Sequence, residues 1–110
     1  METELARKKC VPCEGGVKPL AEEEARTLLP QLQADWNLEQ GKLIRTFRFK
    51  DFQQSISFVN AVANIAEKEG HHPNIYVMYN RVKLELYTHA IKGLHENDFI
   101  LAAKIDQLMR

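Results

Sequence analysis

The sequence lacks any apolar run approaching the roughly 20 residues needed to cross a bilayer, so no transmembrane helix and no membrane partner are expected. Its first residues, METELARKK, are charged and hold no apolar stretch of the kind a secretory signal peptide requires. A cytoplasmic location is the default expectation. Net charge is missing too: 15 Lys and Arg balance 15 Asp and Glu. No overall field therefore favours nucleic acid or an anionic surface, and no direct nucleic-acid contact is expected. Cysteine is scarce, with only Cys10 and Cys13, in Cys-Val-Pro-Cys. That spacing suits a redox dithiol or half of a zinc site, but no second Cys-x-x-Cys completes the latter. The expectation is an N-terminal arm with reduced thiols, both dispensable for fold and catalysis.

What is present suits one domain. A chain of 110 residues buries roughly two-thirds of its unfolded surface, enough for a core without metal or disulfide staples. The 45% hydrophobic and 27% charged fractions are those of an ordinary globular protein. Residues 1–19, rich in glycine and proline, read as the arm, and residues 20–110 as the domain.

From Ala21, AEEEARTLL reads as a short helix with acidic residues in its first turn, where they complement the helix dipole. Residues 36–39 and 42–49 read as a hairpin turning at Gln40-Gly41. Leu43, Phe47 and Phe49 share one face of its second strand, with Arg45 as a polar exception. Residues 51–68 form the strongest helix. One apolar stripe holds Phe52, Ile56, Val59, Ala63 and Ala66; an adjacent one holds Phe58, Val62 and Ile65, with Ser55 between them. Together they cover about half the circumference, wider than a usual apolar face. A second packing surface is expected for this helix, such as another copy of the chain.

Gly70 ends that helix. Residues 75–79 and 82–89 form a second hairpin, turning at Asn80-Arg81, and a last helix spans 96–108. In its final strand Val82, Leu84, Leu86 and Thr88 face one side. The order α-β-β-α-β-β-α predicts an α+β domain: a four-stranded antiparallel sheet with three helices packed on one face.

Three of the four histidines fall near element ends, where a scaffold presents functional groups. His71 and His72 follow the long helix, and His89 closes the last strand. Asp98 sits on the apolar side of the last helix with Leu101, Ala102, Ile105 and Met109, a costly place for an unpaired carboxylate. It also stands three residues after a helix cap at His95, so a purely structural role is open to it. Glu67 lies one turn before the histidine pair. Chemistry alone leaves two readings, an acid–base site or a metal site; His71, His72, His89 and Asp98 would make a zinc ligand set.

The stretch Glu67-Lys-Glu-Gly-His71-His72-Pro73 resembles the E-x-x-x-H-H-P motif of the pterin-4a-carbinolamine dehydratase family. Tyr79 at an aromatic position, Thr88-His89, Gly93-Leu94 and Asp98 continue the resemblance. Pro19-Leu20, Trp36 and Phe47-Arg-Phe-Lys-Asp-Phe52 extend it to residues 19–110. The Cys-x-Pro-Cys-Glu-Gly-Gly arm is similar to that of bacterial members. His95 departs from the Ser or Thr that members often carry there, a better cap than histidine.

The resemblance implies a hydro-lyase that removes water from 4a-hydroxytetrahydropterin, giving quinonoid dihydropterin, in the recycling of pterin for aromatic amino acid hydroxylation. It implies catalysis by His71, His72 and His89, support from Asp98 and Glu67, and no metal or other cofactor. Histidine suits both proton transfers because its ordinary pKa is about 6.5. His71 and His89 are assigned as the proton-transfer pair, and His72 to pterin binding. The wide apolar face of the 51–68 helix leads to the expectation of a homo-oligomer, a homodimer or a homotetramer. The alternative that the resemblance carries is a protein-binding or coactivator module on the same fold.

Overall fold

Gln40 and Gly41 both take left-handed backbone angles, φ 52° and 75°, which suit a tight two-residue hairpin turn. They join β1 (Asn37–Glu39) to β2 (Lys42–Arg48) as the sequence predicts. The computed structural model describes residues 4–12, 17–33 and 35–109. A second hairpin pairs β3 (Asn74–Met78) with β4 (Arg81–Leu86), and β4 also pairs with β2. The four-stranded antiparallel sheet runs in the order β1-β2-β4-β3.

Two strand boundaries differ from the expectation. The second turn falls at Tyr79-Asn80 rather than Asn80-Arg81, with Tyr79 itself left-handed at φ 54°. β4 stops at Leu86, so His89 does not close the strand; it opens a short 3-10 turn, His89–Ile91. The cause is a local bridge between Thr88 and Gly93, with the Thr88 N–H 3.0 Å from the Gly93 carbonyl. The bridge folds the chain back on itself before the strand can continue.

The helices are α1 (Glu4–Arg7), α2 (Glu22–Leu28), α3 (Phe52–Glu69) and α4 (Glu96–Asp106). The Asp51 carboxylate accepts the Gln54 N–H at 2.9 Å and starts α3, and left-handed Gly70 ends it. Along α3, Ser55, Phe58, Val62 and Ala66 are buried, with Val59 and Ile65 packed beside them. Phe52, expected in an apolar stripe, stays 49% exposed. The sheet contributes Leu43 and Phe47 from β2 and Val82, Leu84 and Leu86 from β4 to this core.

α4 is buried on more than the predicted side. Phe99, Ile100 and Ala103 are as enclosed as Leu101, Ala102 and Ile105, whereas Met109 is 43% exposed. The covering comes partly from α1, which packs on α4. Leu5 and Cys10 belong to the core cluster, so the described part of the arm is built into the domain rather than lying ahead of it. Cys10 therefore has a packing role that the expectation of dispensability missed. Cys13 lies outside the described residues, and with it the other half of the dithiol reading.

The Arg45 exception on the apolar face has a partner. Its guanidinium lies 2.7 Å from the buried Asp106 carboxylate and stacks over Phe47 at 4.2 Å. The Trp36 indole N–H and the Gln33 amide donate to the same carboxylate at 2.8 and 3.1 Å. Burial pushes the Asp106 carboxyl above its ordinary range, although these donors oppose it. Elsewhere Pro19 crosses directly over Gly93, where an added Cβ would meet the proline ring at 2.6 Å. The Leu20 N–H donates to the Leu94 carbonyl at 2.8 Å. Two distant parts of the sequence pattern, Pro19-Leu20 and Gly93-Leu94, are thus one contact.

Candidate active site

Left-handed Gly70 turns the chain out of α3 so that His71 and His72 begin a loop, with the His71 N–H still bonded to the Ala66 carbonyl at 3.2 Å. On the other side, the Thr88–Gly93 bridge presents His89 on its short turn. Between these loops lies a cavity of about 570 Å³ whose lining includes all three histidines. They are placed differently. His71 is nearly enclosed, with its side chain 11% exposed, while His72 and His89 are open to solvent.

Asp98, fully buried at the first turn of α4, stands behind His71. One of its carboxylate oxygens lies 2.6 Å from His71 Nε2. The other accepts the Thr88 hydroxyl at 2.8 Å and the His95 N–H at 3.0 Å. Asp98 makes both contacts at once: it completes the cap begun by His95 Nδ1, which accepts the Asn97 N–H at 2.9 Å, and it bonds a histidine. Because an ionised carboxylate only accepts, His71 Nε2 carries the proton and the Nδ1 lone pair is left for a ligand. Such an imidazole is set up to take a proton, with the carboxylate behind it stabilising the cation that forms.

Glu67 contacts His72, its carboxylate 2.5 Å from Nε2, but both side chains are well exposed. A pair in that setting contributes little to stability. His89 has an aromatic neighbour, Tyr87, the two rings standing nearly perpendicular with 5.0 Å between centroids. Tyr79 is 66% exposed on the β3–β4 turn and does not line the cavity. Among the described residues no three His, Cys, Asp or Glu side chains are grouped as a metal would need, so the zinc ligand set does not assemble.

The sequence reading missed the wall formed by residues 9–12, together with Glu69 and Asn97. Glu69 accepts the Cys10 N–H at 2.8 Å. Burial alone would raise its carboxyl, but the Cys10 amide and the Lys104 and Lys9 cations outweigh this and hold it below the ordinary range. Burial and the Glu69 carboxylate push the Cys10 thiol up to about 12. At neutral pH almost no thiolate exists, so iodoacetamide should leave Cys10 unmodified in the folded protein and alkylate it readily in urea. Peptide mass mapping reads this directly, and fast labelling of Cys10 in the native state would contradict it.

A family model described as pterin 4 alpha carbinolamine dehydratase matches residues 18–108. The chain belongs to the pterin-4a-carbinolamine dehydratase family. A relative from Nitrosomonas eutropha, named as a candidate pterin-4-alpha-carbinolamine dehydratase, is 54% identical over 106 residues, covering 96% of this chain and 94% of its own. Among solved structures, a transcriptional coactivator/pterin dehydratase from Brucella melitensis is 34% identical with a TM-score of 0.78, over 83% of this chain and 98% of that one. A pterin dehydratase-like protein identified as a RuBisCO assembly factor in the alpha-carboxysome is 26% identical, with a TM-score of 0.60, over 69% of this chain and 90% of that one. The dehydratase family match takes in every histidine of the cavity.

Proposed function

We propose that this chain removes water from 4a-hydroxytetrahydropterin by histidine acid–base catalysis, in the recycling of pterin used by aromatic amino acid hydroxylation. The observation that carries the reading is one cavity lined together by His71, which buried Asp98 backs, and by His72 and His89. One histidine gives a proton to the 4a hydroxyl as the C4a–O bond breaks and water leaves. Another takes the proton from N5 as the C4a–N5 double bond forms. Atoms and charge balance without a redox partner. The Asp98 contact suits His71 to the base role, which leaves His89 as the acid and His72 to bind the pterin and the departing hydroxyl. The test is a dehydration assay on purified protein with freshly generated hydroxypterin, subtracting the spontaneous reaction. A rate no faster than the buffer blank would refute the reading.

A protein-binding role is the second reading, because β3 is an edge strand carrying exposed Tyr76, Val77, Met78 and, at its turn, Tyr79. A row of unpaired strand groups with apolar neighbours is a ready docking edge. Together with half-exposed Phe52 on α3, it supports a homodimer or homotetramer. Sedimentation equilibrium at micromolar concentration should show self-association, and a monomer throughout that range would count against it.

A further inference from the structure

The N-terminal strap, whose residues 9–12 line the cavity, is fastened by side chains of α3 and α4, two of which, Glu69 and Asn97, line the cavity too. Lys104 Nζ donates to the Ala6 carbonyl at 2.8 Å, and Glu69 holds the Cys10 amide. Asn97, next to Asp98 on α4, clasps Val11 by both ends of its side-chain amide. It accepts the Val11 N–H at 3.0 Å and donates to the Val11 carbonyl at 2.7 Å. Asn97 is 2% exposed, and its two bonds satisfy a polar group that would otherwise be buried at a cost. Val11, in contrast, is 56% exposed and lines the cavity with Pro12.

We propose that Val11 and Pro12 form the specificity wall of the site and contact the C6 substituent of the pterin. The inference rests on the dehydratase reading and goes beyond it. With the Val11 N–H and C=O both engaged by Asn97, and with proline lacking an N–H, Val11 and Pro12 offer the cavity carbon rather than hydrogen-bond donors, unlike Lys9 at the other end of the same wall. The amino-pyrimidine edge of a pterin needs donors and acceptors, so an apolar wall suits it poorly. The proton transfers need imidazoles, and these lie in the 71–72 loop and the His89 turn. The substituent on C6 takes no part in the proton transfers, and its carbon chain can lie against Val11 and Pro12 while any hydroxyls on it reach the water at this open side, where Val11 is 56% exposed.

Steady-state dehydration with two substrates tests this: one bearing a 6-methyl group, the other a 6-dihydroxypropyl group. The readout is the ratio of their KM values. Val11→Trp should raise the KM of the longer substrate about tenfold more than that of the 6-methyl one, through a clash with the substituent. Val11→Ala, which removes two methyl groups, should raise the same ratio about threefold by loss of contact. In each variant kcat should change in equal proportion for both substrates, and the melting temperature should report intact folding. An active wild type with an unchanged KM ratio in both variants overturns the wall and leaves the dehydratase reading standing. An inactive wild type overturns both.

Discussion

Replacing either His71 or His89 with alanine is expected to lower the dehydration rate by about 10²-fold or more, the usual worth of a positioned acid or base. The two residues reach one cavity from different loops. If they act on one substrate as a unit, the double variant loses much less than the product of the single losses. The pH–rate profile should be bell-shaped, since one imidazole must be neutral while the other is charged, and its apparent pKa values belong to the coupled set. His95→Ala is the internal control. It removes a cap worth about 1 kcal/mol yet leaves the His95 N–H bond to Asp98, so stability should drop while the rate stays near that of the wild type. Wild-type turnover in His71→Ala or His89→Ala would take that residue out of the mechanism.

Changing Asp98 should affect both rate and stability, and the two effects can be separated. Asp98→Ala strands three donors, His71 Nε2, the Thr88 hydroxyl and the His95 N–H, around a site with no exposure. The expected cost is on the order of 3 kcal/mol or more, read as a lower urea midpoint at unchanged slope. Asp98→Asn keeps the shape and one acceptor oxygen. With that oxygen kept by Thr88 and His95, the new amide N–H₂ faces His71 Nε2, which must then accept, moving the ring proton to Nδ1. The base is lost through the wrong tautomer, and kcat should fall by about 10²-fold or more in a protein that still folds. A folded Asp98→Asn protein with wild-type kcat would show that Asp98 serves only as the helix cap.

The same dual use of Asp98 shows what kind of information a sequence holds. The spacing His95-x-x-Asp98 marks a helix start, because capping is local and its geometry repeats from helix to helix. Nothing local brings His71, far earlier in the chain, to within 2.6 Å of that carboxylate. The resemblance to a family set Asp98 beside the histidines as support, and only the fold shows that its partner is His71. Arg45 and Asp106 repeat the lesson without such help. Arg45 reads as an error on an apolar strand face until the fold brings the end of α4 to it.

By itself the sequence determined the α+β class, the two hairpins, the long capped helix and, by resemblance, the family. These rest on periodicity, on turn and cap residues and on a motif, all read over short stretches of chain. The tertiary structure alone decided that β4 stops at Leu86, because the bridge that ends it joins Thr88 to Gly93 under the Pro19 contact. It alone decided that residues 4–12 belong to the domain, since Leu5 and Cys10 find their apolar surroundings only once α4 is in place. The wall at Val11 and Pro12 has the same origin. Glu69 and Asn97 hold it from elements distant in sequence, and contacts that close such long loops form only when the rest of the fold bears their entropy.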